Sequence, residues 1–439
     1  MKHEWMRLDN AAKIYPLIES DHITTVFRFS TTLYEPIKKD ILLKALNNII
    51  HRFPYYKVTL RPGFFWYYLE ENKKPLEVHE ETEAPCRRIN RFDNNGYLFR
   101  VLYRDRTISV EFNHILGDGT ACLTFLNTLV HQYLTLLGHQ VSINEWMKDI
   151  NSPVDDSEYE DSHSLAGKKY YKTHKQKQKI IKHVFHLKDR LIKQNQFLVT
   201  YGIIDAQELS TLAKNYNTSI TVLLTSIYLE SLFKIQKEQV PKLRKRRPVA
   251  LQVPVNMRKR LESKSMRNFS LYVIPYLYPD KDYTFEEIIK VVDDFFKENV
   301  EIDHLIAQIV QNYKTERTIF VRVLPLILKK IITPFIYKEI GADTFSGTLS
   351  NIGMLKLPED FEQYVERYNF LLGPCPLTKC SGGVIGFKNK VYITFGRSIR
   401  IPRVEQLFFQ KLVKLGVKVH IESHGGDNLW NIVWDVGLK

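Results

Sequence analysis

His114 is followed four residues later by Asp118 and then by Gly119. Imidazole is the one side chain whose unperturbed pKa lets it take up and release a proton near neutral pH, so a fixed histidine beside a carboxylate suits general-base chemistry. The residues before it alternate. Ile108, Val110, Phe112 and His114 fall on one face, and Thr107, Ser109, Glu111 and Asn113 on the other. This period of two predicts a half-buried strand that turns His114 toward its apolar side. Gly117 and Gly119 permit a tight turn. A helix is expected from Thr120 to Leu136, with Leu123, Leu126, Leu129, Val130, Tyr133 and Leu134 at helical spacing. The plain alternative is a core histidine with a satisfied hydrogen bond, next to an aspartate that merely caps a helix. With 14 histidines in the chain, chance would supply a His-x-x-x-Asp-Gly string only roughly 0.03 times. The one match lies between a strand and a helix, which favours catalysis.

Alternating patterns predict strands near 24–30, 56–60, 65–70 and 96–103, with a helix over 36–52. The polar run 151–157 reads as a break. Beyond it the pattern gives a strand from Phe197, helices over 205–215 and 220–233, and long helical stretches over 285–313 and 321–340. A hairpin over 383–397, a last helix opening at Pro402 and a strand over 417–422 follow. This organisation divides the chain into an N-terminal lobe, 1–160, a basic inter-lobe connection, 161–196, and a C-terminal lobe, 197–439.

The composition of the 439 residues, 44% hydrophobic and 12% aromatic, supports packed cores rather than disorder. No uninterrupted apolar run of about 18 residues occurs, so no membrane-spanning helix is expected. Nor does an apolar signal core follow Met1–Trp5. The expectation is a soluble cytoplasmic protein. Cys86, Cys122, Cys375 and Cys380 lack paired metal spacing, and neither a metal site nor a disulfide is predicted. The net charge of +14 can signal nucleic acid, a membrane surface or anionic ligands. The cations cluster over 168–193 and 242–260. The first run lacks a nucleic-acid fold signature and reads as a solvated linker, so a nucleic-acid partner is not expected. Part of the remainder suits a basic entrance for coenzyme A phosphates, although no Gly-rich phosphate loop is present.

The His114–Gly119 pattern resembles the His-x-x-x-Asp-Gly motif of the chloramphenicol acetyltransferase-like superfamily, which includes condensation domains. Residues Trp5–Lys13, Pro36–Tyr56, Val253–Arg258, Arg267–Phe269 and Ser350–Gly353 are similar, in order, to segments of its alcohol acetyltransferase-like members. The resemblance implies a two-lobed α/β fold with an inter-lobe tunnel, and an acyltransferase in which His114 draws a proton from an acceptor alcohol or amine. Acyl-CoA, carrying an acetyl group in the leading reading, would be a co-substrate rather than a bound cofactor. It implies further that Asp118 turns away from substrate to hold an arginine of the second lobe. Arg258 matches by context, with Arg260 a competitor two residues on. Gly119 and Asn268 would support the site, and Ser350 and Asn351 would be donors to a developing oxyanion. Asn113 stands where condensation domains carry a first histidine. An acyl carrier protein as donor, and a non-catalytic binding protein, are the alternatives.

Overall fold

The computed structural model describes residues 5–90, 92, 94–174, 181–193, 196–337, 341–424 and 434–435; the basic positions Lys175, Lys177 and Lys179, and the extreme N-terminus, lie outside these. The motif strand, Thr107–Asn113, is central to a five-stranded sheet. Its neighbours are Val26–Leu33 on one side and Phe99–Arg104 on the other, with Val365–Leu372 and Val78–Glu80 at the two edges. The motif helix, Gly119–Leu136, packs on this sheet. Phe27, Phe29, Phe53, Tyr56, Phe112 and Phe125 fill the space between them. A small sheet of Trp5–Arg7, Tyr67–Glu71 and Val58–Pro62 flanks this lobe.

The second lobe is built on a nine-stranded mixed sheet. Its centre runs Val249–Asn256, Gly347–Leu355, Cys380–Phe387, Lys390–Arg397 and Leu198–Asp205. Gly347–Leu355 is parallel to both neighbours, while the hairpin from Cys380 to Arg397 and its pairing to Leu198–Asp205 are antiparallel. The helix Ile220–Gln239, capped by the Ser219 hydroxyl on Val222 N, covers the sheet with Leu223, Ile227, Tyr228 and Leu232 inward.

Several expectations are sharpened or corrected. The motif strand is buried along both faces, not one. Its polar face holds Glu111, fully buried, against Arg28 and Arg100, and Cys86 N donates to the same carboxylate at 2.7 Å. Alternation alone cannot distinguish this from a solvated face. The helical stretch over 285–313 is two helices, Phe285–Asn299 and Ile302–Arg317. That over 321–340 is also broken, into Ile319–Val323 and Leu326–Ile336, with Pro325 at the junction because it cannot continue the first helix's hydrogen bonding.

The lobe boundaries need one amendment. Val365–Leu372, far into the second half, pairs antiparallel with Val26–Leu33 and belongs to the first lobe's sheet. Its Phe370 ring stacks on Phe29 at 4.3 Å. The second lobe approaches this strand so closely that a Cβ on Gly383 would lie 2.2 Å from Phe370 O, which explains a glycine inside a strand. The connection over 161–196 is not a free linker where it is described. The helix Ser162–Tyr170 packs on Ile302–Arg317, and Phe185 and Leu187 enter the second core.

Candidate active site

His114 is the first residue beyond the motif strand. Its backbone is fixed on both sides: its N–H donates to Thr25 O at 2.8 Å, and its carbonyl accepts from Asn268 Nδ2 at 2.9 Å. Thr25 holds φ +51, a strained conformation for a β-branched residue that costs on the order of 1–3 kcal/mol. The imidazole stacks on Tyr15, with centroids 5.0 Å apart and 21° between planes, and meets Phe27 at 4.3 Å. The residue is half-buried, and Nδ1 is sealed from solvent without a hydrogen-bond partner among the described residues. Burial pushes its pKa down to about 4, against an upward pull from the Asp118 charge. The ring is therefore neutral at physiological pH, as a general base must be.

Asp118 points away from that ring. It caps the motif helix, accepting from Ala121 N, and its Oδ2 accepts from Arg258 Nη1 at 2.7 Å and Phe269 N at 2.9 Å. Burial raises its pKa, but Arg258 and the Phe269 N–H outweigh burial and leave the carboxyl below its ordinary value. The rest of the guanidinium bonds Ser265 O at 2.7 Å and Arg267 O. Arg258 thus takes the role for which Arg260 competed. Arg260 instead donates to Val300 O at 2.9 Å on the protein's exterior.

A second buried carboxylate works in parallel. Asp9 Oδ2 accepts from Asn268 Nδ2 at 3.1 Å, and Asp9 lies 3.6 Å from Arg267 Nε. Burial raises its pKa, partly offset by Arg267. Arg267 in turn donates to Arg7 O at 2.7 Å. Asp9 and Asp118 therefore pin 258–269 of the second lobe onto the first, and Asn268 transmits that clamp to the His114 carbonyl.

The structure brings His114, Asp118, Gly119, Arg258 and Asn268 together. A Cβ on Gly119 would meet Ile352 Cδ1 at 3.3 Å, so the strand Gly347–Leu355 abuts the start of the motif helix. Ser350 and Asn351, expected as oxyanion donors, lie on the strand Gly347–Leu355. Asn351 donates to Thr221 Oγ1 at 3.0 Å and accepts from Gly353 N at 2.9 Å, bracing strand to helix. Ser350 is buried on the same strand, and among the described residues no hydrogen bond joins it to the His114 loop.

Sequence reasoning passed over Tyr15 and Phe27, whose only signals are their neighbours in three dimensions, and gave Asp9 no role beyond its place in the similar segment Trp5–Lys13. It also passed over His163, buried edge-on against Phe269 at 5.1 Å with neither ring nitrogen bonded among the described residues; burial lowers its pKa. A small groove opens at the lobe junction, lined by Asp21, His22, Arg87, Arg88, Lys193 and Gln196 among others. Asn113, next to His114, donates through Nδ2 to Glu19 Oε1 at 3.0 Å. Glu19 in turn lies 3.5 Å from Arg88. Among the described residues no three His, Cys, Asp or Glu side chains form a metal-binding group, and no single helix is long and apolar enough to cross a membrane.

No family profile and no curated protein matches the sequence. The fold, by contrast, has many solved counterparts. The trichothecene 15-O-acetyltransferase of Fusarium sporotrichioides superposes with a TM-score of 0.59 at 11% identity, covering 94% of this chain and 95% of that one. Polyketide synthase associated protein 5 from Mycobacterium tuberculosis gives 0.59 at 10% identity over 93% and 97% of the two chains. The starter condensation domain of rhizomide synthetase, solved with C8-CoA and Leu-SNAC, gives 0.57 at 11% identity over 94% and 95%. The chain therefore has the two-lobed fold of the chloramphenicol acetyltransferase-like and condensation-domain superfamily.

Proposed function

We propose that this chain is an acyltransferase that moves an acyl group, acetyl in the leading case, from a coenzyme A thioester to an alcohol or amine. The observation that carries this reading is His114: a neutral imidazole at the end of a buried strand, between two lobes, with its backbone clamped by Thr25 and Asn268. With Nδ1 sealed in, Nε2 is the nitrogen left to meet a substrate. It takes the proton from the acceptor O–H or N–H as that atom attacks the thioester carbonyl. The tetrahedral intermediate collapses with cleavage of the C–S bond, and the proton passes to the departing thiolate, giving ester or amide and free thiol. No covalent acyl-enzyme is needed. Asp118, held by Arg258 and turned from the ring, positions the loop rather than reacting. The acyl-transferring and CoA-bound proteins among the structural neighbours support this reading, as do the cations Arg87, Arg88 and Lys193 around the lobe-junction groove, which suit the phosphates of coenzyme A.

The test is to mix purified protein with acetyl-CoA and a panel of alcohols and amines and to follow free thiol. Acceptor-dependent release that disappears in His114→Ala supports the proposal. Presenting the same acyl group on a phosphopantetheinyl carrier protein at matched concentration distinguishes the second reading, favoured by the condensation-domain neighbours. Turnover only with the carrier would replace acyl-CoA as donor. No turnover with either leaves a binding protein of this fold.

A further inference from the structure

The helix Leu326–Ile336 turns Lys329 inward beside Leu326 and leaves most of its bulky apolar residues outward. Lys329 is 3% exposed, its Nζ donating to Phe65 O at 2.8 Å and lying 3.7 Å from the centre of the Trp66 ring. Its apolar neighbours face outward instead: Ile327 is 74% exposed, Ile331 59% and Phe335 70%. These three recur every fourth residue and so share one helix face. The same surface continues in both directions. Ile319 and Val323 of the preceding short helix are exposed. So are Phe64 and Phe65 at the tip of the hairpin beneath, which is tied to the helix by Leu326 N donating to Phe64 O at 2.9 Å. Soluble proteins rarely leave so much contiguous apolar surface uncovered without a use for it.

The two helices carry charge of one sign, although Glu316, paired with Lys13, lies just before them and Glu70, paired with Arg61, on the hairpin below. From Arg317 to Tyr337 the chain carries Arg317, Arg322, Lys329 and Lys330 and no carboxylate, and Arg322 and Lys330 are exposed. The whole chain adds a net charge of +14. Bulky apolar side chains rimmed by lysine and arginine match the two layers of an anionic bilayer surface: acyl-chain boundary for the first, phosphate headgroups for the second. An acidic protein partner would match the cations but would not call for a helix that turns Lys329 in and Ile327, Ile331 and Phe335 out.

We infer that the helices Ile319–Val323 and Leu326–Ile336, with the Phe64–Phe65 hairpin tip, form a docking surface for an anionic membrane interface. The protein lies on the membrane and does not span it, consistent with helices of only five and eleven residues. This inference stands apart from the acyl-transfer reading, since binding is measured without turnover. The surface is nonetheless close to the site: Leu326–Ile336 packs on the short helix Tyr15–Ile18, and Tyr15 stacks on His114.

The experiment is co-sedimentation of the full chain with phosphatidylcholine vesicles, with and without phosphatidylserine. It is paired with the triple variant Ile327→Asp, Ile331→Asp, Phe335→Asp, whose positions are exposed and leave the core untouched. The expected result is sedimentation with the anionic vesicles, at least tenfold weaker with the neutral ones, and at least tenfold weaker for the variant at unchanged melting temperature. Wild-type protein that stays in solution with anionic vesicles overturns the proposal, and so does a triple variant that binds as well as wild type. Light scattering showing a wild-type dimer that the variant converts to monomer assigns the surface to a second copy instead, and likewise overturns it.

Discussion

Replacing Asp118 by Ala tests whether its carboxylate is structural or chemical. The side chain holds Arg258 Nη1 at 2.7 Å and Phe269 N at 2.9 Å across the lobes, and both Asp118 and Arg258 side chains are nearly excluded from water. Removing one member of a buried ion pair leaves the other uncompensated, which costs about 3–5 kcal/mol. Loss of the helix cap lies within the same deletion, so the two are not added. For a chain of 439 residues that unfolds as one unit, the unfolding entropy is about 0.9 kcal/mol/K at roughly 2.1 cal/mol/K per residue. The melting temperature should then fall by about 3–5 °C. A double-mutant cycle isolates the pair: Asp118→Ala and Arg258→Met together should cost at least about 1 kcal/mol less than the sum of the single changes. Calorimetry gives the stabilities, and thiol release gives the rates. If single and double changes add, the pair is not the clamp described. If Asp118→Asn is inactive at an unchanged melting temperature, Asp118 has a direct part in the chemistry.

His114→Ala should lower turnover by roughly 10²–10⁴-fold with an unchanged melting profile, and near wild-type rates would exclude it as the base. Because burial holds the His114 pKa at about 4, the acid limb of kcat/KM should lie near pH 4 rather than near the ordinary value of about 6.5. The same depression means that the neutral ring's stability contribution is complete above about pH 6.5 and is lost as pH falls toward 4, by up to about 3 kcal/mol. A limb at 6.5 in a pH–rate profile would show a solvated ring. Arg260→Ala should change stability by no more than about 0.5 kcal/mol and leave turnover intact, since among the described residues its side chain bonds only the exterior Val300 carbonyl. A loss as large as that of Arg258→Ala would reverse the assignment between the two arginines.

Much of the site was legible because its signals are local. His114, the turn at Gly117, the Asp118 cap and the helix behind it occupy one continuous stretch, where period and turn chemistry speak directly. Arg258 and Asn268 were legible only through resemblance, since nothing in their own neighbourhoods announces a carboxylate 140 residues away for the first and 259 for the second. Asn351 was likewise named by resemblance, and its side-chain NH2 donates one bond to Thr221. The polar face of the motif strand was misjudged because Glu111 reads as a solvent-facing residue until Arg28 and Arg100 are seen to cover it. Val365–Leu372 escaped notice altogether: its sequence, VERYNFLL, lacks clean alternation, and its partner strand begins more than 330 residues earlier.

That returning strand governs how the protein can be made. Translation delivers the motif strand when Asn113 emerges, but the first sheet lacks its edge until Leu372 follows, 259 residues later. At about 5–20 residues per second this is a wait of roughly 13–50 s. Throughout it Val26–Leu33 presents an unpaired row of N–H and C=O groups, with Phe29 still lacking Phe370 above it. The nascent first lobe is thus an incomplete object whose open edge invites pairing with other chains, and whichever process closes the sheet must act after most of the second lobe has already been synthesised.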